Sequence, residues 1–138
     1  MVLLLVSMLG TFSMVSANYL VSLNESDRDV SARGRAFYVA ELGRAAAHAY
    51  VRAHPAGPWP YSRALDTVWD DRGAPSGQFT YTVTQPSGAG LKVAIDAYWP
   101  SAVAPTAACS LQIWLKRDSE EDPWYIAVWS QGIDAEYD

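Results

Sequence analysis

From Met1 to Asn24 the chain carries no charged side chain, and from Met1 to His54 it carries no proline. This feature constrains the fold more than any other. Residues 1–23 as an α-helix would extend about 35 Å, enough for a hydrocarbon core of roughly 30 Å. Ser7, Thr11, Ser13 and Ser16 can return their hydroxyl protons to carbonyls one turn back, which lowers the cost of burying them. Three readings of the segment stay open. It is a membrane anchor, a secretory signal removed after residues 1–17 at the small residues Val15-Ser16-Ala17, or a buried helix. The anchor is the preferred expectation, although Arg28, Arg33 and Arg35 follow the run where the positive-inside rule would keep them cytoplasmic.

Beyond residue 23 the helix formers continue through Ala-Glu-Leu-Gly-Arg-Ala-Ala-Ala-His-Ala-Tyr-Val-Arg-Ala-His, and Pro55, Gly57, Pro58 and Pro60 then end the helix. Val30, Phe37, Ala40, Leu42, Ala45, Ala49 and Val51 approximate an apolar stripe, so residues 24–54 read as an amphipathic half. Gly34 and Gly43 weaken that half and allow local bending.

Residues 55–138 change character. Residues 1–60 hold five basic and four acidic groups, whereas residues 61–138 hold five basic and eleven acidic groups. Ser62–Asp70 reads as a short helix with Ser62 as its N-cap. The period then falls to two. Strands are expected over Phe79–Thr84, Leu91–Trp99, Cys109–Lys116 and Trp124–Ser130, with turn residues at 85–90 and an acidic tip at 117–123. Short connections favour an antiparallel meander, and its apolar face needs the amphipathic helix as cover. The expected fold is therefore α+β, a long helix of one membrane half and one amphipathic half on a four-stranded antiparallel sheet.

With its loop centred near Glu120, the last hairpin sets Leu111, Ile113 and Leu115 beside Trp129, Ala127 and Tyr125 on the helix side. The other face then carries Gln112, Trp114 and Lys116 beside Val128, Ile126 and Trp124. That face is more apolar than a solvated one needs to be. Either residues 55–71 or the carboxy-terminal tail fold over it, or another protein does.

Composition excludes several classes. Six Trp and eight Tyr exclude a disordered chain, and the lone Cys109 excludes an internal disulfide framework. A net charge of −5 without a Lys/Arg cluster argues against nucleic acid. No G-x-S-x-G, H-E-x-x-H, phosphate-cradling glycine loop or Cys/His cluster occurs, so no enzyme, catalytic residue, cofactor, metal site or small-molecule substrate is expected. His48 and His54 lie six apart and cannot share a metal; solvation or helix capping accounts for them. Asp70-Asp71 and the tip of Asp118, Glu120, Glu121 and Asp122 could hold calcium, but the tip lacks the central glycine of an EF-hand loop. The tryptophans would serve packing, or alternatively a carbohydrate- or protein-binding platform on a secreted module.

A helix of two such halves packed on an antiparallel sheet looks like a type IV pilin. Arg35-Ala36-Phe37-Tyr38-Val39-Ala40-Glu41-Leu42-Gly43 resembles the R-x-A-F-Y-x-A-E-x-G stretch of PilX-type minor pilins, with a similar stretch in GspK-type pseudopilins. Phe37, Tyr38, Ala40 and Glu41 take the matching positions, and Leu42 stands where Ala is common. Leu5 stands where the family commonly has Glu, which suggests that Met1 is an internal start or that the chain belongs to a Glu-less subgroup. The resemblance implies a structural subunit of a type IV pilus or a related secretion filament, with other pilin or pseudopilin subunits as partners. It also implies a single-pass inner-membrane location before assembly, with the head outside the cytoplasm. Glu41 would then lie where the helix meets the head or a neighbouring subunit.

Overall fold

The computed structural model describes residues 2–86 and 90–131, with the side chains of residues 1–15, Asp29, Trp129, Ser130 and Gln131 outside that description. One helix, α1 (Val2–Ala53), precedes five strands: β1 (Tyr61–Trp69), β2 (Pro75–Thr84), β3 (Leu91–Trp99), β4 (Ala107–Lys116) and β5 (Tyr125–Gln131). The chain divides into two compact units, Met1–Ser31 and Ala32–Asp138. The first consists of helix. The second is an α+β body in which the later part of α1 packs on one face of an antiparallel sheet of order β1-β2-β3-β4-β5.

Small residues carry α1 down onto that sheet. Ala32, Ala36, Ala40 and Ala47 are buried with Val39 and Val51, at spacings of three and four that keep them on one side. Val30, Ala45 and Ala49, expected in the stripe, are exposed instead. The buried face is chosen by closeness of approach rather than by side-chain bulk. Gly43 makes this plain: a Cβ there would lie 2.8 Å from Ile95 Cγ2 and 3.1 Å from Phe79 Cδ2. Gly43 is a contact point between helix and sheet, whereas nothing lies within 4 Å of a Cβ built on Gly34. Beneath the helix, Phe79, Tyr81, Val83, Leu91, Val93, Ile95, Leu111, Ile113 and Leu115 alternate inward along β2, β3 and β4 to form the core.

The sheet has five strands rather than the expected four, because residues 61–69 form β1 and not a short helix. Tyr61, Leu65, Val68 and Trp69 mimic a helical period. In β1 the spacing has another cause: the register shifts between Arg63 and Asp66, and one extra residue there returns Val68 to the row of Tyr61. β1 closes the sheet edge beside β2, so residues 55–71 do not fold over the open face.

The last hairpin is also corrected. Ile113 faces Trp129 and Trp114 faces Val128, two residues from the expected pairing, and then Leu115 faces Ile126 across a bulge at Ala127. That bulge turns Ile126 to the helix side, and Trp124 is buried there too. Simple alternation places both on the open face instead. The turn residues Ser87, Gly88 and Ala89 lie outside the described residues.

Among the described residues no helix is long and apolar enough to cross a membrane. The expectation of a single-pass inner-membrane span over residues 1–23 is overturned by this finding. The physical reason lies in the second half of that run. Asn18 and Ser22 interrupt it, and Asn24, Glu25, Asp27 and Arg28 follow at once in the same helix.

Candidate functional site

β5 is shifted by its bulge so that Ile126 points toward α1, and across from it α1 presents Phe37, Glu41 and Arg44 at helical spacings of four and three. These four residues line a groove of about 320 Å³ within the second unit. Phe37 and Ile126 supply apolar walls and pack on the edge of the core. Glu41 and Arg44 supply the polar lip. The Arg44 Nε donates to Glu41 Oε2 at 2.9 Å, and a second guanidinium nitrogen lies 2.7 Å from the same oxygen.

Both ion-pair side chains are about one-third exposed, at 31% and 32%, so water screens them. Glu41→Ala is expected to cost less than about 0.5 kcal/mol of stability. Thermal unfolding checks this; a loss several times larger would make Glu41 a structural strut instead of a lip residue.

A hydrogen-bonded corner lies at the start of β5. His48 Nε2 donates to the carbonyl of Trp124 at 3.0 Å, tying α1 to the start of β5. The Trp124 indole Nε1 donates to the Pro55 carbonyl at 3.4 Å, and the Arg117 guanidinium lies 4.5 Å from its ring centroid. His54 instead caps the helix, its Nδ1 donating to the Tyr50 carbonyl at 3.0 Å. A separate aromatic stack joins the helix end to the sheet: Tyr50 lies against Tyr61 with ring centroids 3.9 Å apart, and Tyr81 packs beside both. Burial and the neighbouring Tyr61 push the Tyr81 phenol above its ordinary pKa, which holds it neutral within the stack.

The other candidates are dispersed. Among the described residues no group of three His, Cys, Asp or Glu side chains converges on a point that could hold a metal ion. In the acidic tip, Asp118 accepts the Tyr125 hydroxyl at 3.2 Å and the Glu120 carbonyl accepts from Arg117. Asp70 closes a turn by accepting the backbone N–H groups of Arg72 and Ala74. The described tryptophans occupy separate places. Trp59 sits edge-on to Tyr50, Trp69 is exposed at the end of β1, and Trp99 lies under the Arg35 guanidinium at 4.8 Å. Trp114 faces Lys92 on the open side of the sheet, and Trp124 is buried.

Sequence reasoning singled out Glu41 and missed the groove it borders. Phe37 was legible as an apolar helix residue. Ile126 was not, because its side depends on the bulge. No known protein family, curated protein or solved structure matches the chain.

Proposed function

We propose that this chain is a structural filament subunit of the type IV pilin kind, either a PilX-type minor pilin or a GspK-type pseudopilin. The observation that carries this reading is the surface of the first unit. Tyr19, Leu20, Val21 and Leu23 are 66%, 65%, 57% and 45% exposed within five residues of helix. Isolated apolar side chains at a surface are ordinary, but a cluster of this kind marks a surface that another protein covers. The resemblance of residues 35–43 to the minor-pilin stretch, and a helix packed on an antiparallel meander, support the same reading.

The mechanism is packing rather than covalent chemistry. Apolar side chains of the leading helix leave water by contact with neighbouring subunits, while the second unit supplies the surface that sets their spacing. Burying a Leu or Tyr of this exposure is worth about 1–2 kcal/mol each, so a few such contacts per subunit sustain association.

Sedimentation of the full chain over a range of concentrations tests the reading. Wild type is expected to associate in a concentration-dependent way, and Leu20→Asp to remain monomeric with unchanged unfolding of the second unit. Wild type that stays monomeric throughout would overturn the proposal. Glu41→Ala is expected to keep its fold and weaken association.

A further inference from the structure

The proposed self-association leaves open which surface receives the exposed apolar cluster. We propose that the groove bounded by Phe37, Glu41, Arg44 and Ile126 receives the Tyr19–Leu23 ridge of a second copy, so that subunits join head to tail. This rests on the filament reading and names its contact.

The ridge has the geometry of an insert. Tyr19 and Leu23 are four apart, and Leu20 and Leu23 three apart, so these three side chains project from one side of the helix. Residues 16–24 carry no charge. Among the described residues the other large exposed apolar side chains, Val30, Tyr38, Leu65, Trp69, Val103 and Tyr125, stand singly on α1, β1, β5 or in a loop. Among the described residues the Tyr19–Leu23 cluster presents an apolar helix face of the type that seats in a groove through residues at i, i+3 and i+4.

The groove has the matching chemistry. Its volume of about 320 Å³ admits side chains but not the backbone of a helix, whose cylinder is about 10 Å across. Phe37 and Ile126 offer apolar walls. The two charges at its lip already satisfy each other at 2.7 Å, so an uncharged insert buries no carboxylate or guanidinium without its partner. A charged insert would have to break that pair. The groove therefore selects a neutral, apolar ridge, and this chain carries one.

Ridge and groove are different surfaces of the same chain. A contact between two different patches is heterologous, and unless its rotation closes a ring it propagates without limit. A ridge-to-ridge contact would instead close on itself as a two-fold dimer. The head-to-tail arrangement is the one that builds a filament.

Mixing two variants of the full chain separates these arrangements. Leu20→Asp spoils the ridge and keeps the groove; Ile126→Lys spoils the groove and keeps the ridge. Each alone is expected to associate about 30-fold more weakly than wild type, or worse. Mixed in equal amounts, they are expected to form a one-to-one heterodimer and nothing longer, because one intact ridge meets one intact groove. Glu41→Lys replaces Ile126→Lys as the groove variant if the latter melts early.

Groove variants that associate like wild type would overturn the inference, because the ridge would then be received by another surface of the neighbouring subunit, and would leave the filament reading standing. A mixture of folded variants that stays monomeric, while wild type associates, would overturn it as well. A monomeric wild type would remove the filament reading itself.

Discussion

Gly77→Ala is expected to destabilise the second unit by about 3 kcal/mol or more. Gly77 has φ +145°, a conformation that side chains with a Cβ rarely adopt, and forcing one there costs on the order of 1–3 kcal/mol. The space is also taken. A Cβ built on Gly77 would collide with Val39 Cγ2 on α1 and lie 3.2 Å from the Tyr98 carbonyl oxygen on β3. Val39 is itself fully buried, so it cannot swing aside without opening the core, and overpacking of that kind adds about 1–3 kcal/mol. Gly73→Ala provides the comparison. Gly73 also has a positive φ, +74°, but nothing lies within 4 Å of its added Cβ, so only the backbone cost of about 1–2 kcal/mol remains. Urea unfolding followed by tryptophan fluorescence reads the difference. Equal losses at the two positions would mean that the approach of helix and sheet at Val39 is not as close as described.

Trp124→Ala is expected to cost about 3–5 kcal/mol, the range for a buried aromatic truncated to alanine. Trp124 is 3% exposed and joins three parts of the second unit. Its indole donates to Pro55 after the helix, its ring lies under Arg117 from the acidic tip, and its carbonyl accepts from His48. Removing the ring leaves a cavity at the corner where α1, the connector and β5 meet. Trp114→Gln is the informative contrast. Trp114 is half-buried on the open face, with the Lys92 ammonium 5.8 Å from its ring centroid. Its loss is expected to stay below about 2 kcal/mol, since much of its surface is already in water. Chemical denaturation of both variants checks the order; a Trp114→Gln chain less stable than Trp124→Ala would reverse the assignment of the two faces.

These two tryptophans show where local sequence stops being informative. Both lie in strand-forming stretches of mixed polarity, and simple alternation from a loop centred on Glu120 assigns them to the same face. The extra residue at Ala127 breaks the alternation, and a one-residue slip exchanges the faces of everything before it. That single bulge decides that Ile126 lines the groove. Glu41 was legible as a residue of interest from the stretch around it, while the groove it borders was not.

Other features could be read locally. The absence of proline before Pro55 and the density of helix formers give α1, which ends at Ala53. Alternation of apolar residues with threonine gives Phe79–Thr84 of β2, which in the fold begins earlier, at Pro75, and β3 spans Leu91–Trp99 as its pattern indicates, because a strand with one buried face must repeat every two residues. β4 and β5 follow within a residue or two of their expected ends.

What tertiary structure alone decided are the matters that depend on partners distant in the chain. Residues 61–69 have an apolar spacing compatible with a helix and become a strand because the edge of β2 offers unfilled hydrogen-bonding positions, with a register shift absorbing the mismatch. The face of α1 that is buried is set by Gly43, Ala36 and Ala40, the residues small enough to let two backbones approach, and not by its bulkiest side chains. Sequence determines which segments can be helix or strand, because that preference resides in the residues themselves. Pairing, bulges and depth of packing arise only between segments, so the groove that α1 and β5 form together exists in neither segment alone.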